Sequence, residues 1–363
     1  MLQGSRTPGC LTPFVRRALA AVGAASVAAC VLTGCAGSAT PVVATPTSSA
    51  ATADLPLVFG AFTTALEEPW DSAIHAALES AEADGLIRYE HADQLGQSND
   101  LGTALREIIA SSDPDIIMGD AFAAEEAVRA VATEFPDIAF AFGSAGSEQA
   151  PNFSVFDNWM HDPAYLAGML AGGLTQTSTI AVIAAMPIPE VNRIVNAFIA
   201  GAQQTGPTAT VTVSYIDSFY DPEAAKKAAD AAIANGADVV FAERDGAIVA
   251  AQESGLPAFG MMIDQQADAP DYVVSSLLWN LKPTIEAIVT DVEAGEFVAS
   301  DLAELSYMAN GGSSLAPINP NTAFGIPAEL LSEVEAVQTA ILDGTFITPI
   351  NDEAPAETTT LTD

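Results

Sequence analysis

From residue 55 onward the chain alternates short apolar runs with amphipathic stretches of about 12 to 18 residues, a pattern that leaves few folds open. Short apolar runs suit strands covered on both faces, and parallel strands of that kind need helical crossovers between them. Strands are expected over 57–61, 87–91, 116–118, 138–142 and 153–156, with helices over 71–83, 101–110 and 124–133. In the first helix Ile74, Leu78 and Ala81 fall at helical spacing, and Gly85 follows as a stop. After a helix over 164–174 a second series begins, with strands over 180–184, 211–216, 239–242 and 258–261 and helices over 190–202, 223–234 and 247–253. The expected architecture is therefore α/β, with two doubly wound parallel-sheet lobes and a ligand cleft between them. A strand over 273–277, helices over 284–294 and 328–342, and a loop or crossover at Gly311-Gly312 complete the chain, where a return between lobes would fit.

The amino terminus reads differently. Arg6, Arg16 and Arg17 precede an apolar run over 18–32, and no acid occurs in the first 53 residues. This is the layout of a secretory signal peptide, and the run is shorter than the roughly 20 residues a spanning helix needs. It ends in Leu32-Thr33-Gly34-Cys35, which resembles a bacterial lipobox. Cys35 would then carry the lipid, and Cys10 and Cys30 would leave with the signal. No cysteine would remain for a disulfide, a zinc site or a nucleophile. The expected division is a signal peptide over 1–35, a flexible tether over 36–54, an N-terminal lobe over 55–160, a C-terminal lobe over 161–285, crossover and closing segments over 286–350, and a flexible tail over 351–363.

Composition narrows function. The chain is 50% hydrophobic and 16% charged, so it buries real cores. Its formal net charge is -36, and without the three signal-peptide cations eight remain against 47 acids, a net of -39. So few cations cannot neutralise a phosphate backbone, which excludes a nucleic-acid polymer as partner. The excess of acid reads as surface adaptation rather than ligand choice.

In open α/β sheets ligands bind beyond the carboxyl ends of strands. The residues there include Glu67, Glu68, Trp70 and Asp71, then Asp120 and Phe122, then Asp157, Asn158 and Trp159, then Phe219 and Tyr220, then Glu243 and Arg244, and finally Asp264 and Gln265. Asp120, Asn158, Glu243, Asp264 and Asp71 can each bond the polar edge of a ligand or cap a helix. Asp221, before Pro222, reads as a cap.

Across 55–350 the chain resembles the basic membrane protein family of lipoproteins. Glu67-Glu68-Pro69-Trp70-Asp71, Gly119-Asp120-Ala121-Phe122, Asn152-Phe153-Ser154-Val155-Phe156-Asp157-Asn158-Trp159, Pro187-Ile188-Pro189-Glu190-Val191-Asn192-Arg193 and Tyr220-Asp221-Pro222 carry that resemblance, in order. It implies a type I periplasmic-binding-protein fold and a monomeric extracytoplasmic component of an ABC importer, anchored to the cell membrane by lipid. That component would take a purine base or nucleoside to a permease with a cytoplasmic ATPase. The family's two sandwiching aromatics stand here as Trp70 and Phe219. A carboxylate that binds ribose hydroxyls in nucleoside-binding members is Met262 here, and a lysine is Trp279, which argues for a smaller, adenine-like base. Trp279 is carried as a ligand-side residue with Phe122 and Trp159, whereas Glu190, Arg193 and Arg244 are expected to pair across the lobes and orient the cleft.

No catalytic constellation is present in the sequence. His75, His91 and His161 lack metal-ligand spacing, and neither a nucleophile elbow nor a phosphate loop occurs. No catalytic residue, metal or cofactor is expected. A secreted nucleoside hydrolase using Glu67-Glu68, and a ligand-sensing lipoprotein without a transporter, stand as the alternatives.

Overall fold

Strand β1 (Leu57–Ala61) is buried along its whole length, as are β3 (Ile116–Asp120) and β4 (Ala139–Gly143), so all three need cover on both faces. The computed structural model, which describes residues 55–96, 99–356 and 358–360, supplies that cover. With β2 (Arg88–Ala92) and β5 (Phe153–Val155) these strands form a parallel sheet in the order β2-β1-β3-β4-β5. Helices α1 (Pro69–Ala83), α2 (Asn99–Ser112) and α3 (Glu125–Glu134) are its crossovers. Ile74, Leu78 and Ala81 are the buried face of α1, and Gly85 follows that helix at φ +74, where a Cβ would be strained.

The second sheet begins after α4 (His161–Leu174) and contains β6 (Thr179–Ala184), β7 (Thr210–Tyr215), β8 (Val239–Ala242), β9 (Ala258–Gly260) and β10 (Val273–Trp279), all parallel. Its crossovers are α5 (Pro189–Thr205), α6 (Pro222–Ala234) and α7 (Ala247–Ser254). Asp221 caps α6 through a 2.9 Å bond from the Ala224 amide. Helix α4 is apolar nearly all round because α5 and α9 (Ala328–Leu342) pack on it. Its approach to α5 depends on glycine: a Cβ at Gly168 would stand 2.1 Å from the Phe198 carbonyl oxygen, and one at Gly201 1.9 Å from that of Tyr165.

The segments after β10 sort themselves between the lobes. Helix α8 (Lys282–Ala294) returns to the first lobe and packs on α1, with Lys282 Nζ 3.1 Å from Asp84 Oδ2. Residues 299–302 then run beside β5, where the Val155 amide donates to the Ser300 carbonyl and Leu302 donates back to Val155. Two short 3-10 turns lead to β11 (Ser313–Leu315), antiparallel to β10 at the sheet edge. The segments expected to cross over and close the chain over 286–350 are thus shared out, because α8 covers an apolar face of the first lobe and α9 one of the second. One continuous core runs through both lobes on this side, and α2 with α3, and α6 with α7, enclose separate cores on the far faces.

The chain end was expected to trail free, and the structure corrects this. Asn192 donates to the Asp352 carbonyl at 3.0 Å, and Asn196 to those of Asn351 and Glu353 at 2.8 Å. Strand β12 (Thr358–Thr360) then pairs with β7, closing the order β11-β10-β9-β8-β6-β7-β12. An open edge strand and two amides on α5 offer partners that composition alone does not reveal. The signal peptide, the tether and Cys35 lie outside the described residues.

Candidate functional site

The carboxyl ends of the two sheets face one another across a cavity of about 490 Å³. The first lobe contributes Thr63 and Thr64 after β1, Glu68 and Trp70 at the start of α1, Asp120 and Phe122 after β3, and Ser144 after β4. Met186, Glu190, Ser218, Phe219 and Tyr220 come from the second lobe. Local strain gathers here: five non-glycine residues held at positive φ, Gln94, Ala123, Ser144, Asp217 and Met262, lie in the segments that follow strands.

Trp70 is placed by its helix start. Pro69 sets the first turn, and Glu68 Oε2 accepts from the amides of Trp70 and Asp71, both at 2.9 Å. The indole lies parallel to Phe156 with centroids 5.8 Å apart, and fills the space where a Cβ on Gly143 would stand 1.9 Å from a ring carbon. Phe122 and Phe219 meet edge to face from opposite lobes at 5.1 Å. Three aromatic residues expected from sequence therefore reach the wall.

Asp120 also lines the cavity, its carboxylate accepting from the Phe122 amide at 2.8 Å and from Thr63 Oγ1 at 3.3 Å. Burial still raises its pKa. Asp71 is fully buried beneath the wall, where Thr64 Oγ1 donates to it at 2.7 Å. Burial first, and the neighbouring Asp120 charge second, push Asp71 up to about 7. Glu68 rises for the same first reason, against the pull of the Asp71 amide and Arg244.

The two buried arginines each join the lobes. Arg244 holds Glu243 through two bonds, 2.6 and 3.0 Å, donates to the Phe219 carbonyl at 3.2 Å, and stands 3.7 Å from Glu68 of the first lobe. Arg193 lies 3.6 Å above the Trp159 ring, pairs with Asp157 at 2.5 Å, and stands 3.8 Å from Asp352. The cross-lobe partners of the two arginines are thus Glu68 and Asp157, and Glu190, expected to pair across the lobes, pairs with neither. Glu243 follows Arg244 from the same strand end and anchors it, and it also accepts from the Ala185 amide at 2.9 Å.

Several expected ligand residues are not on the wall. Trp279 sits behind Trp70 at 5.1 Å and donates to Ser306 Oγ, because β10 ends beneath the indole rather than beside the cavity. Trp159 is the platform for Arg193. Asp264 is exposed and caps its own turn, accepting from the Gln266 amide at 3.0 Å. Asn158 is fully buried with neither amide atom bonded, two residues beyond Phe156. Thr63, Ser144, Met186 and Ser218, each just beyond an expected strand, also line the cavity, and so does Glu190, for which a structural role was expected. The acid excess is not confined to the surface either: Glu68, Asp71, Asp120, Glu190 and Glu243 are all buried around the cleft.

Comparison with known proteins agrees with this geometry. The Bmp family model, ABC transporter substrate-binding protein PnrA-like, matches residues 65–304. A protein of Haloferax volcanii provisionally named as an ABC transporter glucose-binding protein is 34% identical over 50% of this chain and 48% of its own. A purine-binding protein of Brucella abortus is 30% identical over 47% of this chain and 49% of its own, so the chain spans about half the length of both relatives. Among solved structures, an ABC transporter solute-binding protein from Conexibacter woesei superposes with a TM-score of 0.65 at 24% identity, covering 81% of this chain and 99% of that one.

Proposed function

Because the chain belongs to the Bmp family of ABC transporter substrate-binding proteins, we propose that it captures an adenine-like purine base outside the cytoplasmic membrane and presents it to a permease driven by a cytoplasmic ATPase. The family is one of solute-binding proteins, which argues against the hydrolase alternative. The observation that carries the ligand assignment is the wall itself: the rings of Trp70, Phe122 and Phe219 surround a cavity that also holds buried carboxyls. Flat rings exclude water from a heteroaromatic base and stack on it, worth about 1 to 3 kcal/mol per base. Carboxyl oxygens accept from its N–H groups. The resemblance puts Trp279, which packs behind Trp70, where nucleoside-binding members carry a lysine, and on that ground the reading prefers a base to a nucleoside.

The lobes would close over the ligand, and the permease would recognise the closed form. Arg244 to Glu68 and Arg193 to Asp157 are the bridges that closure would hold. Cys35 would anchor the chain to the membrane by lipid, and no described helix is long and apolar enough to cross one. A Cys35→Ala chain found in the soluble fraction, with the parent in the membrane fraction, is the expected result for the anchor.

The ligand is tested by calorimetry and native mass spectrometry with adenine, hypoxanthine, guanine, adenosine and glucose. Adenine should bind in a one-to-one complex and emerge chemically unchanged. Adenosine binding as tightly as adenine would sink the base preference. A hexose is the second reading, since acids and a tryptophan also suit sugar hydroxyls and the Haloferax relative is named for glucose. Glucose binding without purine binding would establish that reading instead.

A further inference from the structure

Glu190 is the second residue of α5 and the carboxyl that the second lobe presents to the cavity. Its side chain is more than nine-tenths buried, and Oε1 has no hydrogen-bond partner. Across the cavity, Glu68 Oε1 is likewise buried without a hydrogen bond, with only the Arg244 guanidinium 3.7 Å away. Asp120, by contrast, has both oxygens engaged. The wall therefore holds, from each lobe, one carboxyl oxygen that makes no hydrogen bond.

The surroundings decide which form Glu190 takes. Facing it are Asp157 from the passage after β5, Glu243 and Arg244 from the end of β8, and Arg193 one turn along its own helix, with Glu68 beyond Arg244. Both guanidiniums are already held by other carboxylates, Arg244 by Glu243 at 2.6 Å and Arg193 by Asp157 at 2.5 Å. Neither makes an ion pair with Glu190.

We infer that Glu190 reads the bound base as an uncharged carboxylic acid, donating to a ring nitrogen or carbonyl and accepting from the N–H beside it. Burial above all, then repulsion from Asp157, lifts Glu190 to about 8, with Arg244 and Arg193 pulling the other way. A carboxylic acid offers one donor and one acceptor side by side, whereas a carboxylate only accepts. The matching ligand edge pairs an acceptor with an adjacent N–H, as in an aminopurine or a lactam. An edge of two donors, such as the N1–H and 2-amino group that guanine presents beside its lactam edge, fits the ionised form instead. Glu68 Oε1 takes a further N–H from the opposite lobe. This inference rests on the purine reading and specifies the edge that the site selects.

The experiment is a titration of adenine affinity between pH 6.5 and 9 in the full chain, in Glu190→Gln and in Glu190→Ala, with melting curves to monitor folding. Wild-type affinity should be level near pH 6.5 and fall about tenfold per pH unit above pH 8, as the proton needed for binding is lost. Glu190→Gln keeps a donor and an acceptor, so it should bind within about threefold of wild type at pH 6.5 and lose the pH dependence. Glu190→Ala should weaken binding about tenfold or more at every pH below 8. A flat wild-type profile, which needs no variant, would overturn the inference and leave the purine reading standing. So would affinity rising with pH, or Glu190→Gln as weak as Glu190→Ala. Failure of every purine to bind at any pH would remove the purine reading and this inference with it.

Discussion

The two lobes share an architecture but divide the cleft unequally. The first brings Trp70, Phe122, Asp120 and Thr63, and its own cations Arg88, Arg106 and Arg129 do not line the cavity. The second brings Glu190 and Phe219 together with both buried guanidiniums, and each of these reaches a carboxyl of the first lobe, Glu68 or Asp157. The first lobe is thus a shaped, acid-bearing surface, and the second supplies the charge that holds the two together. Duplicated topology does not imply duplicated roles, because the strand ends differ residue by residue.

The sharpest way to break this asymmetry is Arg244→Met. It leaves Glu243 buried without its partner and frees Glu68, so urea unfolding should show a loss of about 3 to 5 kcal/mol. Stability retained in full would mean the bridge carries nothing. Next comes Phe219→Ala, which removes the second lobe's ring from a half-buried position. Calorimetry should register a loss of affinity of about 1 to 3 kcal/mol, with little change in melting.

Asp71→Asn tests the first lobe alone. The folded pKa of Asp71 is raised to about 7 against an ordinary value near 3.8, so the folded state binds the extra proton. Its contribution is fully present below the ordinary value and is lost as pH rises through about 7. The asparagine variant should therefore be more stable than wild type at pH 8, by roughly 1 to 3 kcal/mol, and little different at pH 4. Equal melting at both pH values would refute the buried charge. Smallest is Asp352→Ala: the partner is 3.8 Å from Arg193 and half exposed, so less than about 1 kcal/mol should be lost. A larger loss would assign the docked chain end a greater share in holding α5.

Much of the fold was legible because buried parallel strands read as apolar runs. Strand β1 matched its expected bounds, 57–61, and α9 matched 328–342. Strands β11 and β12 escaped notice: three residues each, polar in part, they exist only because β10 and β7 offer open edges. Trp70, Asp120, Phe122 and Phe219 were found as cavity residues by the strand-end rule. Asp264 obeyed the same rule and missed, since its loop turns outward and spends the carboxylate on its own backbone.

Periodicity and strand-end position, which are local properties, determined the two α/β lobes, the order of their elements and the neighbourhood of the cleft. Charge pairing is not local. Which acid meets Arg193 or Arg244, that Trp279 backs Trp70 instead of facing the cavity, and that Glu190 stands unpaired on the wall were decided by how two lobes pack across distances of 36 to 209 residues in the chain. Electrostatic energy depends on spatial separation and on the water that packing removes, and neither is written in sequence spacing.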